Sequence, residues 1–228
     1  MLNLSNLQQL TKTIKIAPLN IIREHIEMEV LYYLAQSPLA EAMTFYGGTA
    51  IRLAYGGLRY SEDLDFSFNN QYSPKHKKQL YDVLAHVVDT NEGVRIEEVI
   101  SKRQTLFGLL HMTNELLKHP IRVKIEVSKR KDQLQSAPVL LTSPTTNKEI
   151  IFSTATMESL VQLKEKAMKQ RSMPRDWFDY WYLCQKMRQQ KNTSIQFPFP
   201  KRAFMNDLKR WLPKDTWVII DQIVKFYE

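Results

Sequence analysis

The chain has 228 residues, 43% hydrophobic and 25% charged, a globular composition with room for one ordinary domain or two small ones and no mark of disorder. No apolar run approaches the ~20 residues that cross a bilayer, the amino-terminal stretch lacks a basic start followed by an apolar block, and the lone Cys184 cannot form an internal disulfide; a membrane span and a disulfide scaffold are excluded, and a reducing cytoplasm is expected. Of the +8 net charge, +6 falls in residues 151–228, where 14 Lys and Arg oppose 8 Asp and Glu, so the last third is either a solvated basic surface or a seat for a polyanion such as nucleic acid or nucleotide.

In chain order, the spacing of Ile21, Met28, Leu31 and Leu34 predicts a helix over 20–36 that ends before Pro38. "MTFY" is a short apolar strand stopped by Gly47 and Gly48, and "TAIRLAYGG" a two-turn helix closed by Gly56 and Gly57. "EDLDFSF" alternates, with Leu64, Phe66 and Phe68 on one face and Asp63, Asp65 and Ser67 on the other. Ser73 and Pro74 form a cap and first-turn proline for a helix running to about Val88. Strands follow near Val94 and Thr105 and over "PIRVKIEVSK", where Arg122, Lys124, Glu126 and Ser128 share the polar face. Pro138 to Pro144 is read as a loop and "KEIIFS" as a last strand, after which the pattern is helical, punctuated by Pro198, Pro200 and Pro213. The expected organisation is an α/β half over 1–154 and a helical half over 155–228.

The chemistry concentrates in residues 47–66, "GGTAIRLAYGGLRYSEDLDF". Two aspartates at i and i+2 on a strand project to one side with Cβ atoms roughly 6–7 Å apart, a repulsive pair unless a cation lies between them. Magnesium suits such hard oxygen ligands and keeps positions open for phosphate. Glu126 offers a third carboxylate, so Asp63, Asp65 and Glu126 are the candidate metal ligands if their strands are neighbours. Taken alone, D-x-D also fits an exposed acidic strand face. Upstream, Gly47 and Gly48 at a strand-to-helix junction let a phosphate approach free helix amides, with the Thr49 hydroxyl beside them.

The pattern "GGTAIRL…GGLRYSEDLDF" resembles the nucleotidyltransferase superfamily in the form carried by the AbiEii/AbiGii toxin family. The resemblance covers roughly residues 43–185 and continues through Glu126 in "VKIEVS", Lys164 in "LVQLKEKAMKQR" and the "RDWFDYW" segment at 175–181. The third carboxylate of that family is more usually Asp, whereas this chain has Glu. The resemblance implies a nucleotidyltransferase-like α+β core with a mixed sheet and a carboxy-terminal helical domain. It also implies Mg2+ or Mn2+, a nucleoside triphosphate substrate and transfer of a nucleotidyl group to RNA, with tRNA ends a candidate acceptor. A toxin–antitoxin or phage-abortive role follows from it, with an antitoxin protein as a partner.

The basic helix can be read physically beside this. At 100° per residue Leu160, Lys164, Ala167 and Arg171 share one stripe, whereas Lys166 and Lys169 point away. A lysine on an inward stripe needs an anion: the triphosphate, with Lys164 and Arg171 opposing the leaving pyrophosphate, or a plain salt bridge to Asp176 or Asp179. Arg175, Asp176 and Asp179 are assigned supporting roles, while Arg59 and Ser61 either reach a phosphate or brace their loop. Trp177, Trp181 and Cys184 form an aromatic stripe read as core. Two rivals are weighed: a nucleic-acid-binding protein with a vestigial transferase site, and a haloacid-dehalogenase-type phosphatase. The second needs an apolar strand immediately before the first Asp, and "LRYSE" is not one.

Overall fold

The computed structural model describes residues 3–113, 119–130, 134–171, 173–192 and 196–227. Seven strands form one mixed sheet: β1 (Met43–Tyr46), β2 (Asp63–Phe68), β3 (Val94–Ser101), β4 (Thr105–Met112), β5 (Ile121–Ser128), β6 (Ser136–Leu141) and β7 (Ile150–Ala155), in the order β3-β4-β5-β2-β1-β7-β6. The β2–β5 and β1–β7 pairs are parallel and the other four antiparallel. The helices are α1 (Leu4–Ile14), α2 (Pro18–Ala35), α3 (Gly47–Tyr55), α4 (Lys75–Thr90), α5 (Met157–Gln170), α6 (Pro174–Met187), α7 (Lys201–Leu208) and α8 (Ile219–Tyr227). The fold is α+β, as the sequence predicts.

Period-two burial explains the sheet. In β5, Ile121, Val123, Ile125 and Val127 are buried on the face covered by α2 and α4, while Arg122, Lys124 and Glu126 are exposed on the opposite face. The apolar side chains form two clusters. One joins α1, α2 and α4 to the sheet, and the other joins α5 to α8, with Ile51 of α3 reaching into it. Trp177, Trp181 and Cys184 lie in the second cluster.

The structure departs from the sequence reading at four points. Residues 138–141 belong to strand β6, not to a loop; Pro138 has no N–H to donate, but β6 is an edge strand, where a missing donor is tolerated. Helix α4 begins one residue later than predicted and has no Ser73 side-chain cap; instead the Ser73 amide donates to His76 Nδ1 at 3.1 Å. Helix α1 has no counterpart among the predicted elements, although Asn3 caps it through the Asn6 amide at 2.8 Å. The spacing of Ile21, Met28, Leu31 and Leu34 marks one apolar stripe of α2, but Arg23, Glu24, Glu27 and Glu29 are buried as well. Glu24 pairs with Arg52 and accepts from Ser143, and Glu29 pairs with Lys148 at 2.8 Å, so partners satisfy these two, whereas Glu27 Oε1 and Arg23 Nε and Nη1 have no hydrogen-bond partner among the described residues.

Candidate active site

The strand-to-helix junction at 46–48 places a helix start beside β2. Gly47 has φ +86°, a left-handed conformation that side chains disfavour, and a Cβ there would lie 2.3 Å from Asp65 Oδ2. A Cβ on Gly48 would lie 2.3 Å from Arg59 Nη2 and 2.8 Å from Ser61 Oγ. Gly47 therefore requires glycine, a side chain at Gly48 would have to displace Arg59, and no side chain caps the amides of the first turn of α3. A cavity of about 410 Å3 opens here, lined by Gly47 and Gly48, by Arg59, Ser61, Asp63 and Asp65, by Glu126, and by Leu160, Lys164, Ala167, Arg171, Arg175 and Asp176 from α5 and α6. The whole predicted stripe of α5 faces this cavity.

The carboxylates occupy one wall. Register across the parallel β2–β5 pair sets Asp65 opposite Glu126 and Asp63 opposite Lys124, so all four side chains share a face. Lys124 Nζ lies 3.5 Å from Asp63 Oδ1, which nevertheless has no hydrogen-bond partner. Burial, reinforced by Asp63 and Glu126 and opposed by Lys164 and Arg171, pushes the Asp65 carboxyl up to about 7. Among the described residues no three acidic, histidine or cysteine side chains are already gathered tightly enough to grip an ion. The donor set still fits a divalent cation. It is all hard oxygen, Asp63 Oδ1 accepts no hydrogen bond beside its ion pair with Lys124, and burial with acidic neighbours holds Asp65 near neutrality.

The opposite wall is cationic and internally braced. Arg59 donates from Nε and Nη2 to the two carboxylate oxygens of Asp179, both at 2.8 Å, and from Nη1 to the Tyr60 carbonyl. Lys164 Nζ lies 2.7 Å from Asp179 and 3.0 Å from Asp176, and Arg171 donates to both oxygens of Asp176 at 2.9 and 3.1 Å. Burial alone would raise both acids, but the cations outweigh it: Arg59 and Lys164 lower Asp179 to about 2, and Lys164 and Arg171 lower Asp176. Asp176 and Asp179 thus orient Lys164, Arg171 and Arg59. Arg175 lines the cavity too, with its Nη1 3.9 Å from Glu62.

The alternatives left open for two residues are resolved by this geometry. Lys164 both forms the salt bridges and lines the cavity, and Arg59 braces its loop while one edge of it borders the cavity. Thr49 is a correction: its hydroxyl donates to the Asp63 carbonyl at 2.7 Å, and the residue is buried away from the cavity lining, so it ties α3 to β2 instead of meeting a ligand. Two side chains escaped the sequence reading. Lys124, two residues before Glu126 on its polar face, was legible as a neighbour of the acids. Glu27 on α2 was not; burial, with Glu24 next and Asp63 contributing, holds its carboxyl well above the usual range.

The sequence profile of the AbiEii family, described as nucleotidyl transferase AbiEii toxin of a type IV toxin–antitoxin system, matches residues 29–208. Two solved structures share the fold. JHP933 from Helicobacter pylori is 19% identical with a TM-score of 0.56, covering 93% of this chain and 80% of that one. A second solved structure, of an H. pylori chain described as a proposed nucleotidyltransferase, is 20% identical with a TM-score of 0.56, covering 93% and 82%. No curated protein matches the chain. No helix among the described residues is long and apolar enough to cross a membrane.

Proposed function

The chain belongs to the AbiEii nucleotidyl transferase toxin family of type IV toxin–antitoxin systems, and from that premise we propose that it transfers a nucleoside monophosphate from a triphosphate to a hydroxyl, on RNA in preference to protein, with tRNA ends the first candidate. The observation that carries the reading is the cavity's two-sided electrostatics: under-compensated carboxylates on the sheet face braced cations and an uncapped helix start.

In this reading Gly47 and Gly48 admit the phosphates to the first amides of α3. Lys164 and Arg171, fixed in advance by Asp176 and Asp179, oppose the charge that develops on the departing pyrophosphate. Asp63, Asp65 and Glu126 would hold Mg2+ or Mn2+, which when bound supplies polarisation of the phosphoryl group. Glu126, exposed on the outer face, would accept the proton of the acceptor hydroxyl. The acceptor oxygen forms its bond to the α-phosphorus as the bond to the bridging oxygen breaks, and pyrophosphate leaves. A toxin role, with growth arrest or phage defence as its outcome and an antitoxin as its counterpart, follows from family membership.

The test is incubation with each labelled triphosphate, Mg2+ and total RNA, comparing the wild type with Asp65→Ala. Transfer of label to RNA by the wild type and not by the variant is expected. Transfer that persists in the variant would reject the carboxylate assignment, and absence of transfer with every base would favour a nucleic-acid-binding protein with a vestigial site.

A further inference from the structure

We propose that the acceptor is a single-stranded nucleic-acid end held on the open face of the β3–β4–β5 end of the sheet and gripped by cations at its tip, and not by the basic carboxy-terminal third. The proposal rests on the transfer reading above and names the surface that would serve it. Cross-strand register carries one row of side chains from Asp65 to Glu126, Phe107 and Ile100, across β2, β5, β4 and β3. Directly opposed residues point to one face, so the carboxylate wall continues as a shelf to the sheet margin. Two strand spacings, roughly 10 Å, separate Glu126 from Ile100, the scale of one or two nucleotides. Ile100 is 37% exposed, and Phe107 lies beneath Lys102, whose Nζ stands 4.3 Å from the ring centroid. Phe107 is itself buried, so the surface open to a base is Ile100 and the Lys102 stem above the ring, and apolar surface of this kind does not choose among bases.

The tip of the shelf is cationic. Lys102 and Arg103 form the β3–β4 turn, and Lys129 and Arg130 follow β5 directly beside it. Their partners are neutral: Lys129 reaches Ser101 Oγ at 2.6 Å, and Arg130 Nε reaches Gln104 at 3.0 Å. Among the described residues none of the four has an acidic partner. In the basic third the cations that line the cavity are tied to acids, while Lys166, Lys186, Arg202 and Lys214 have no acidic partner among the described residues. Lys164 and Arg171 are tied to Asp176, Arg175 pairs with Glu62, and Lys201 with Asp221. The tip cations that continue the face carrying Glu126 are Lys102, over the Phe107 ring, and Arg130, two residues past Ser128; Lys129 turns to the other face, where Ser101, Leu106 and Val127 share a row.

The experiment measures binding of a fluorescein-labelled 12-nucleotide single-stranded RNA by anisotropy, which needs no turnover. The variant K102E/R103E/R130E is compared with K186E/R202E/K214E, three exposed cations of the last third. The shelf variant is expected to raise Kd at least tenfold and to flatten the log–log salt slope by about 2, roughly 0.7 per phosphate contact; the control should shift Kd less than about threefold. R103Q/R130Q, which removes charge without reversing it, should still raise Kd about threefold if the triple variant folds poorly. Wild-type-like binding by the shelf variants, equal loss in both sets, or no binding by the wild type would overturn the proposal. RNA labelling by the wild type that the shelf variants leave intact would sink the shelf alone; RNA binding on the shelf with no transfer of any nucleotide would sink the transfer reading alone.

Discussion

The two walls of the cavity solve opposite problems. On the sheet side, Asp63, Asp65 and Glu126 face one another with little compensation, so that Asp63 Oδ1 accepts no hydrogen bond and Asp65 is driven towards neutrality. On the helix side, Lys164, Arg171 and Arg59 are matched to Asp176 and Asp179 by hydrogen bonds of 2.7 to 3.1 Å. One wall is built to be completed by something positive, and the other is complete as folded and left with a small positive surplus. Removing a carboxylate should therefore have opposite consequences on the two sides.

The largest contrast should come from Asp65→Asn. Loss of an outer-shell partner costs about 10- to 100-fold, so a direct ligand should cost more than about 100-fold in nucleotidyl transfer. Melting of the chelator-treated variant should equal or exceed that of the wild type, because a repulsive buried acid has been removed. A substantial loss of stability would place Asp65 in the structural class instead. Next in size, Asp179→Ala should destabilise the protein by about 3–5 kcal/mol in urea unfolding, since it strands the buried Arg59 guanidinium. The double variant Arg59→Met/Asp179→Leu should recover part of that loss; no recovery would mean that shape, not charge, governs the pair.

Gly48→Ala tests whether the braced wall can yield. Its Cβ would meet Arg59, which Asp179 prevents from retreating, so a loss of about 1–3 kcal/mol is expected, together with a higher KM for triphosphate. A neutral outcome would show that the loop at 56–62 shifts freely. The smallest effect is the pH profile of the metal-free protein. The folded Asp65 carboxyl titrates near 7 against an ordinary value of 3.8, so its favourable contribution is full below about pH 4 and falls as pH rises to 7. Asp179 has the reverse sign: its contribution is full above about pH 4 and is lost as pH drops through about 2. Urea midpoints from pH 2 to 8 should show both limbs, and Asp65→Asn should remove only the upper one. Added Mg2+ should raise melting more at pH 8 than at pH 5, because only the ionised carboxylate is a good ligand.

Much of this architecture is written in local periodicity. The alternation of β5 and the 100° stripe of Leu160, Lys164, Ala167 and Arg171 each express a geometric repeat within a few residues, and each emerges intact in the fold. What could not be read are pairings made across long separations. Arg59 and Asp179 are 120 residues apart, and nothing near either one announces the other. Thr49 illustrates the limit at short range: its residue type suits a phosphate, but a carbonyl 14 residues away takes the hydroxyl first. The buried charges of α2 show the same limit, since a helical repeat cannot tell a face bathed in water from one met by Arg52, Ser143 and Lys148.

Pro138 carries a consequence for how copies of the protein meet. A sheet margin normally presents a row of amides and carbonyls able to recruit a further strand, and here Leu140 and Ile151 form an exposed greasy pair beside that margin. The imino residue leaves a gap in the row of donors, so an incoming chain finds its ladder interrupted where the greasy pair would otherwise reward it. The margin is thereby guarded against runaway polymerisation.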